Sequence, residues 1–169
     1  MPSVTYGGAK RPVPRPFSLV CVILEELLDA WRVNNAVNLR LLELCPDETF
    51  DLKPGKGKTI RSNWVHLIGV RKSHVEAMLP AAAVPIAKLD WKAASREEIA
   101  SALATSDEAM AASLARLDVK TNRWTAAKFF GYAVAHEAHH RSQIEIALRL
   151  GGHEPPEMAM FGLWDWPEL

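Results

Sequence analysis

Residues Thr125 to Leu150 read TAAKFFGYAVAHEAHHRSQIEIALRL, a proline-free run with apolar residues at helical spacing and three histidines within five positions. Such a run commits the chain to a long α-helix, and everything else has to pack around it. On an ideal helix at about 100° per residue, Phe129, Tyr132, Ala133, His136, His140, Gln143, Ala147 and Leu150 share one face. His139 falls at its edge. Glu137, Arg141, Glu145 and Arg149 occupy the other side, where water is expected. The inward pair is therefore His136 and His140, separated by about 6 Å along the axis. A lone inward histidine is ordinarily a hydrogen-bonded core residue. Two of them one turn apart on an apolar face point instead to a shared metal ion, whose third ligand has to come from another segment.

The rest of the chain divides at its prolines and glycines. Met1 to Pro16 holds Gly7, Gly8, Pro12, Pro14 and Pro16 and reads as an irregular arm, leaving 17–169 as one domain. A first helix is expected from Ser18 to about Leu44, ended by Pro46. Its inward stripe is Val20, Leu24, Leu27, Leu28, Trp31, Asn35, Asn38 and Leu42. An amide facing a core is unfavourable unless paired, so Asn35 and Asn38 with Trp31 suggest a polar substrate pocket at this level; a rotated register that turns them to solvent is the alternative. After a loop containing Pro54, Gly55 and Gly57, a second helix is expected from Thr59 to Leu79, stopped by Pro80. Trp64, Ile68, Val75, Met78 and Leu79 form its apolar side. Asn63, His66, Gly69, Val70, Ser73 and Ala77 form a small-residue groove opposite, so burial on both faces is expected. His66 is then the leading third ligand, since its small neighbours leave room for an ion, while His74 lies roughly 12 Å further along the axis. Ala81 to Ala94 reads as a linker. Ser-Arg-Glu-Glu at Ser95 fits a capping box opening a third helix to about Leu117, with Ile99, Leu103, Ser106, Met110, Ser113, Leu114 and Leu117 inward. Gly151 and Gly152 should cap the histidine helix. The tail Met158 to Leu169, dense in Met, Phe and Trp, is too apolar to float freely and should dock on the domain or a partner.

Four helices with proline-marked connections and no strand pattern imply an all-α four-helix bundle with a docked aromatic C-terminal tail. Lys plus Arg equals Asp plus Glu at 20 each in 169 residues, which speaks against a nucleic-acid or acidic-membrane footprint. No stretch is long enough to span a bilayer. Phe17 to Leu24 is too short and too quickly followed by Glu25 and Glu26 for a signal peptide. Cys21 and Cys45 show no cluster or disulfide spacing, which fits a reducing cytoplasm.

His136 to His140 spells H-E-x-x-H, the signature of metallopeptidases in which the glutamate is the general base. The extended form would need Gly at 143 and His at 146, where this chain has Gln143 and Ile146. E-x-x-H from Glu137 to His140 has no second copy to make a di-iron site. AHEAHHRSQI before a Gly-Gly stop, the earlier NWVHL and the closing GLWDW together resemble the DinB-like family of small four-helix-bundle metalloproteins, over about Leu19 to Trp166. Ser142 departs from the glycine that family often has after its histidine-arginine pair. The resemblance implies a divalent metal held by His66, His136 and His140. Three imidazoles would leave an open coordination position and suit Zn, Ni or Co better than Mg or Ca, with Glu137 a candidate general base. The resemblance also implies, for some members, transfer of low-molecular-weight thiols to electrophiles. The expectation is a metal-dependent enzyme of small-molecule or stress chemistry, thiol S-transferase-like or hydrolase-like, working as a homodimer. The rival is a bundle in which the ion is only structural.

Overall fold

The computed structural model describes residues 19–117 and 124–166; the expected N-terminal arm lies outside them. Helix α1 spans Leu19–Glu43, α2 Ile60–Met78, α3 Pro80–Ala83, α4 Arg96–Ala115, α5 Ala126–Leu150 and α6 Glu157–Phe161. Local chemistry sets the boundaries. Thr59, Ser95 and Thr125 each accept a hydrogen bond from a backbone N–H in the first turn of α2, α4 and α5, and Ser95 with Glu98 completes the expected capping box. Such caps stabilise a helix by about 1 kcal/mol each. Gly152, at φ 78°, ends α5: its N–H donates to Arg149 O and that of His153 to Leu148 O, satisfying carbonyls the helix itself leaves free. Pro80 does stop α2, but as the first residue of the short α3 inside the expected linker, because a proline has no N–H to lose at a helix start.

Four long helices make the bundle. α1 and α2 each pack against both α4 and α5, so α1 and α2 face one another across a diagonal. The core holds Trp31 and Leu41 from α1, Trp64 and Leu67 from α2, Ile99 and Leu103 from α4, and Phe129 and Ile144 from α5. Leu163 is buried and Met160 packs beside it, while Arg40 donates to Gly162 O, so the tail docks on the bundle. Trp164 and Trp166 line a small cleft there with Val37 and Ser142. Between α1 and α2 the loop 53–58 is closed at its base by Ile60 N–H donating to Leu52 O and Arg61 N–H to Phe50 O.

The centre of the bundle is polar. Arg71, only 2% exposed, reaches out from α2: its Nε donates to Glu137 Oε1 at 2.7 Å and Nη2 to Oε2 at 2.9 Å. Its Nη1 donates to Asn35 Oδ1 on α1 and to Leu103 O and Ser106 Oγ on α4. Asn34 and Asn38 donate to Glu137 Oε2 at 2.6 and 2.7 Å, and their own amide oxygens accept from Arg141 Nη1. Trp31 covers the guanidinium, 4.8 Å from its ring centroid. One arginine thus binds all the other long helices.

Three expectations are corrected here. Glu137 does not face water: it is 2% exposed, and the buried face of α5 runs Phe129, Ala133, Glu137, His140, Ile144, Ala147 and Leu148. Tyr132 and Leu150, expected inward, are exposed. α2 is not buried on both sides either, since Gly69, Ser73 and Ala77 lie at the surface.

Removing one partner of a buried ion pair strands the other charge, which costs about 3–5 kcal/mol. Arg71→Met should lose that much in urea unfolding, and Arg71→Met with Glu137→Gln should lose less, because no charge is left unpaired. A loss below about 1 kcal/mol for Arg71→Met would mean the pair does not hold the helices. Asp107 gives a pH-dependent counterpart. Its Oδ1 is buried beside the Trp31 indole, and burial pushes the carboxyl up to about 6 against the pull of Arg71 and of Trp31. An acid raised in the fold penalises the folded state where it is ionised, and the penalty fades as pH falls through the folded value. Asp107→Asn should therefore raise Tm at pH well above 6, with the gain shrinking between about 6 and the ordinary carboxyl value of 3.8.

Candidate metal centre

His66 on α2 and His136 and His140 on α5 converge, with one nitrogen of each lying within 4.8 Å of the others. The ring centroids are 4.6 Å apart for His136 and His140, 4.7 Å for His66 and His140, and 5.6 Å for His66 and His136. The two Nε2 atoms of His136 and His140 stand 3.2 Å apart. Nitrogens around a tetrahedral zinc-like ion would be about 3.3 Å apart, so the donor set fits such an ion with small side-chain adjustments.

His140 is the most tightly placed of the three. Asn63 Nδ2 donates to Thr59 O at 3.0 Å and, more weakly, to Lys58 O, which turns its Oδ1 toward His140 Nδ1 at 2.8 Å. An oxygen there requires Nδ1 to carry the proton, which leaves the Nε2 lone pair facing the cluster. Burial lowers the pKa of all three imidazoles, to about 4 for His140, and the Lys58 charge adds to the effect at each. At neutral pH they are therefore unprotonated, the form that binds a metal.

The neighbouring histidines are placed differently. His74 packs edge-on against Phe129 and Tyr132, and His139 is exposed. Glu137, the candidate base, is committed to Arg71, Asn34 and Asn38. Burial alone would raise its pKa, but Arg71 and the hydrogen bonds together hold it below the ordinary carboxylate value, which makes it a poor proton acceptor. Trp31, Asn35 and Asn38 are likewise drawn into the Arg71 network, and none of them lines the cavity that opens at His66. That cavity, about 530 Å³, is lined by Lys53, Lys58, Thr59, Ser62, His66 and Trp91.

Wheel reasoning missed Asn63 as a support for His140, although it sits three residues before His66 on the same face. It also missed Arg71, whose signal was its place among Trp64, Leu67, Ile68 and Val75 in an apolar stripe.

Bundle and site together define a class: a helical-bundle protein with a metal-competent cluster of three histidines on two helices. The model of the DinB family matches residues 20–167, and the chain belongs to that family. Searches of curated proteins and of solved structures found no match.

Asn63→Leu should release the His140 tautomer. In ¹⁵N NMR of the metal-free protein, His140 should give an Nδ1-protonated pattern in the parent and a mixed pattern in the variant. A parent already mixed would remove Asn63 from this role.

Proposed function

We propose that this protein is a metal-dependent enzyme of small-molecule chemistry, thiol S-transferase-like or hydrolase-like, with His66, His136 and His140 as the ligands of a divalent transition ion, zinc or nickel foremost. The observation that carries the reading is the open cavity whose wall includes His66, one of the three clustered imidazoles. An ion held there would supply Lewis acidity and stabilise a thiolate or hydroxide donor at its remaining position.

The chain's own residues divide the remaining work. Asn63 holds His140 with its Nε2 free. His136 and His66 are half-buried and His140 is buried, and His66 is the member of the cluster that lines the cavity. Glu137 anchors α5 in register through Arg71, which weighs against the H-E-x-x-H peptidase reading, since that mechanism needs the glutamate as a base. Against a purely structural ion stands the ion-pair network, which already ties together all four long helices while the imidazoles bridge only α2 and α5. A low-molecular-weight thiol as co-substrate, a homodimer as the working form and a cytoplasmic setting belong to the same proposal. Exposed Met158, Phe161 and Trp164 favour self-association. Among the described residues, no helix is long and apolar enough to cross a membrane.

Elemental analysis of the purified protein should find about one transition-metal ion per chain. His66→Ala, His136→Ala and His140→Ala should each lose it, while His139→Ala should keep it and all four should keep their helical circular dichroism. Metal retained by all three ligand variants, or lost only with His139, would overturn the assignment.

A further inference from the structure

The cavity beside His66 carries more information than its position. At about 530 Å³ it falls within the range of small-molecule sites, about 300–1,000 Å³, and its walls are chemically uneven. Lys53 and Lys58 stand on the loop side, and among the described residues neither is paired with a carboxylate. The arginines nearby are different: Arg61 pairs with Asp51 and Arg96 with Asp47, while Asp90, the residue before Trp91, accepts from the Lys92 backbone N–H. The first turn of α2, which opens at Thr59 on the cavity wall, carries no acidic side chain, leaving the positive end of its dipole uncompensated. The wall also includes Trp91, a residue 58% exposed, with the Lys92 ammonium 4.7 Å from its ring centroid. Thr59 Oγ1 donates to Ser62 Oγ and Ser62 Oγ donates to Trp91 O, so the tryptophan's backbone is fastened to the start of α2. His66, half-buried, lines the same cavity.

A ligand that satisfies these walls has three parts. One needs a donor able to meet the imidazole cluster, another a flat or apolar surface to cover the indole, and the third a negative charge for the two ammonium groups. Building on the metal-site reading above, we propose that the cavity binds a small organic carboxylate, its acid group held by Lys53 and Lys58, its apolar body against Trp91 and its donor atom directed at His66, His136 and His140. The loop 53–58 is then the element that selects the substrate, and the histidines act on whatever it admits.

The test compares 4-mercaptobenzoate with 4-mercaptobenzamide, which share thiol, ring and length and differ in charge. Each is titrated into the full-length cobalt-loaded protein, following thiolate-to-cobalt absorption, and into the metal-free protein, following the Trp91 indole N–H signal assigned with Trp91→Phe. The carboxylate should bind about tenfold more tightly than the amide in both forms. In Lys53→Gln/Lys58→Gln, whose changes are at the surface, that preference should fall to within about twofold, because any effect of the lost charges on the thiolate and the imidazoles is common to both ligands and cancels in their ratio. Added salt should narrow it in the parent. Equal binding of the two thiols, a preference that survives the double substitution, or no effect of either ligand on the Trp91 signal would overturn the proposal. A cobalt–thiolate band with equal affinities leaves the metal reading standing without the carboxylate site. A carboxylate preference in the metal-free protein with no cobalt bound does the reverse.

Discussion

Arg71 and Glu137 are two opposite charges in a place water does not reach, and the bundle is arranged around keeping both satisfied. A carboxylate moved into a protein interior loses several kcal/mol of hydration. Here Glu137 regains it from Arg71, Asn34 and Asn38, while the remaining guanidinium donors go to Asn35, Leu103 O and Ser106. Each of these bonds fixes the rotation of one helix about its axis, because a turn of α5 by one residue would carry Glu137 out of reach. Apolar contacts such as Trp31, Trp64 and Phe129 supply the bulk of the burial, but they tolerate sliding. A directional network does not. His136 is the residue before Glu137 and His140 lies one turn beyond it, so the same network that sets α5 also aims its imidazoles at α2.

Much of the fold was legible in the sequence for reasons that are local. Pro46, Pro80, the Ser95–Glu98 pair and the Gly151–Gly152 stop act within a few residues of themselves, and the observed helices begin and end within three residues of where these signals fall. The convergence of His66 with His136 and His140 was also readable, since helical spacing fixes which residues share a face. What was misjudged was the rotation of α5. The rule that charges face water placed Glu137 outside and Tyr132 inside, and the bundle does the opposite. No local property of Glu137 could reveal this, because its burial is made possible by an arginine 66 positions away. The clue lay in taking two anomalies together: a charge inside an apolar stripe on α2, and a pair of asparagines on the inward face of α1. Each alone reads as a surface residue or a register error, and jointly they describe a buried ion and its solvent.

The cavity was not legible in this way, because it is made where separate segments meet. His66 comes from α2, Lys53 and Lys58 from the preceding loop, and Trp91 from the connection before α4. Helical periodicity says nothing about such neighbours. It suggested a pocket at Trp31, Asn35 and Asn38 because polar residues on an inward face usually imply space, whereas here they imply a charge to be solvated.

The base of the 53–58 loop is clamped by two backbone hydrogen bonds, from Ile60 to Leu52 and from Arg61 to Phe50. Chain entering and leaving the loop is thereby held in place whatever lies between, and closure entropy grows only slowly with loop length. Insertions, deletions or replacement between Lys53 and Gly57 would leave α2 in register and the imidazoles in place. Among descendants of a common ancestor, divergence in what is recognised can therefore accumulate in these residues while the framework is inherited unchanged.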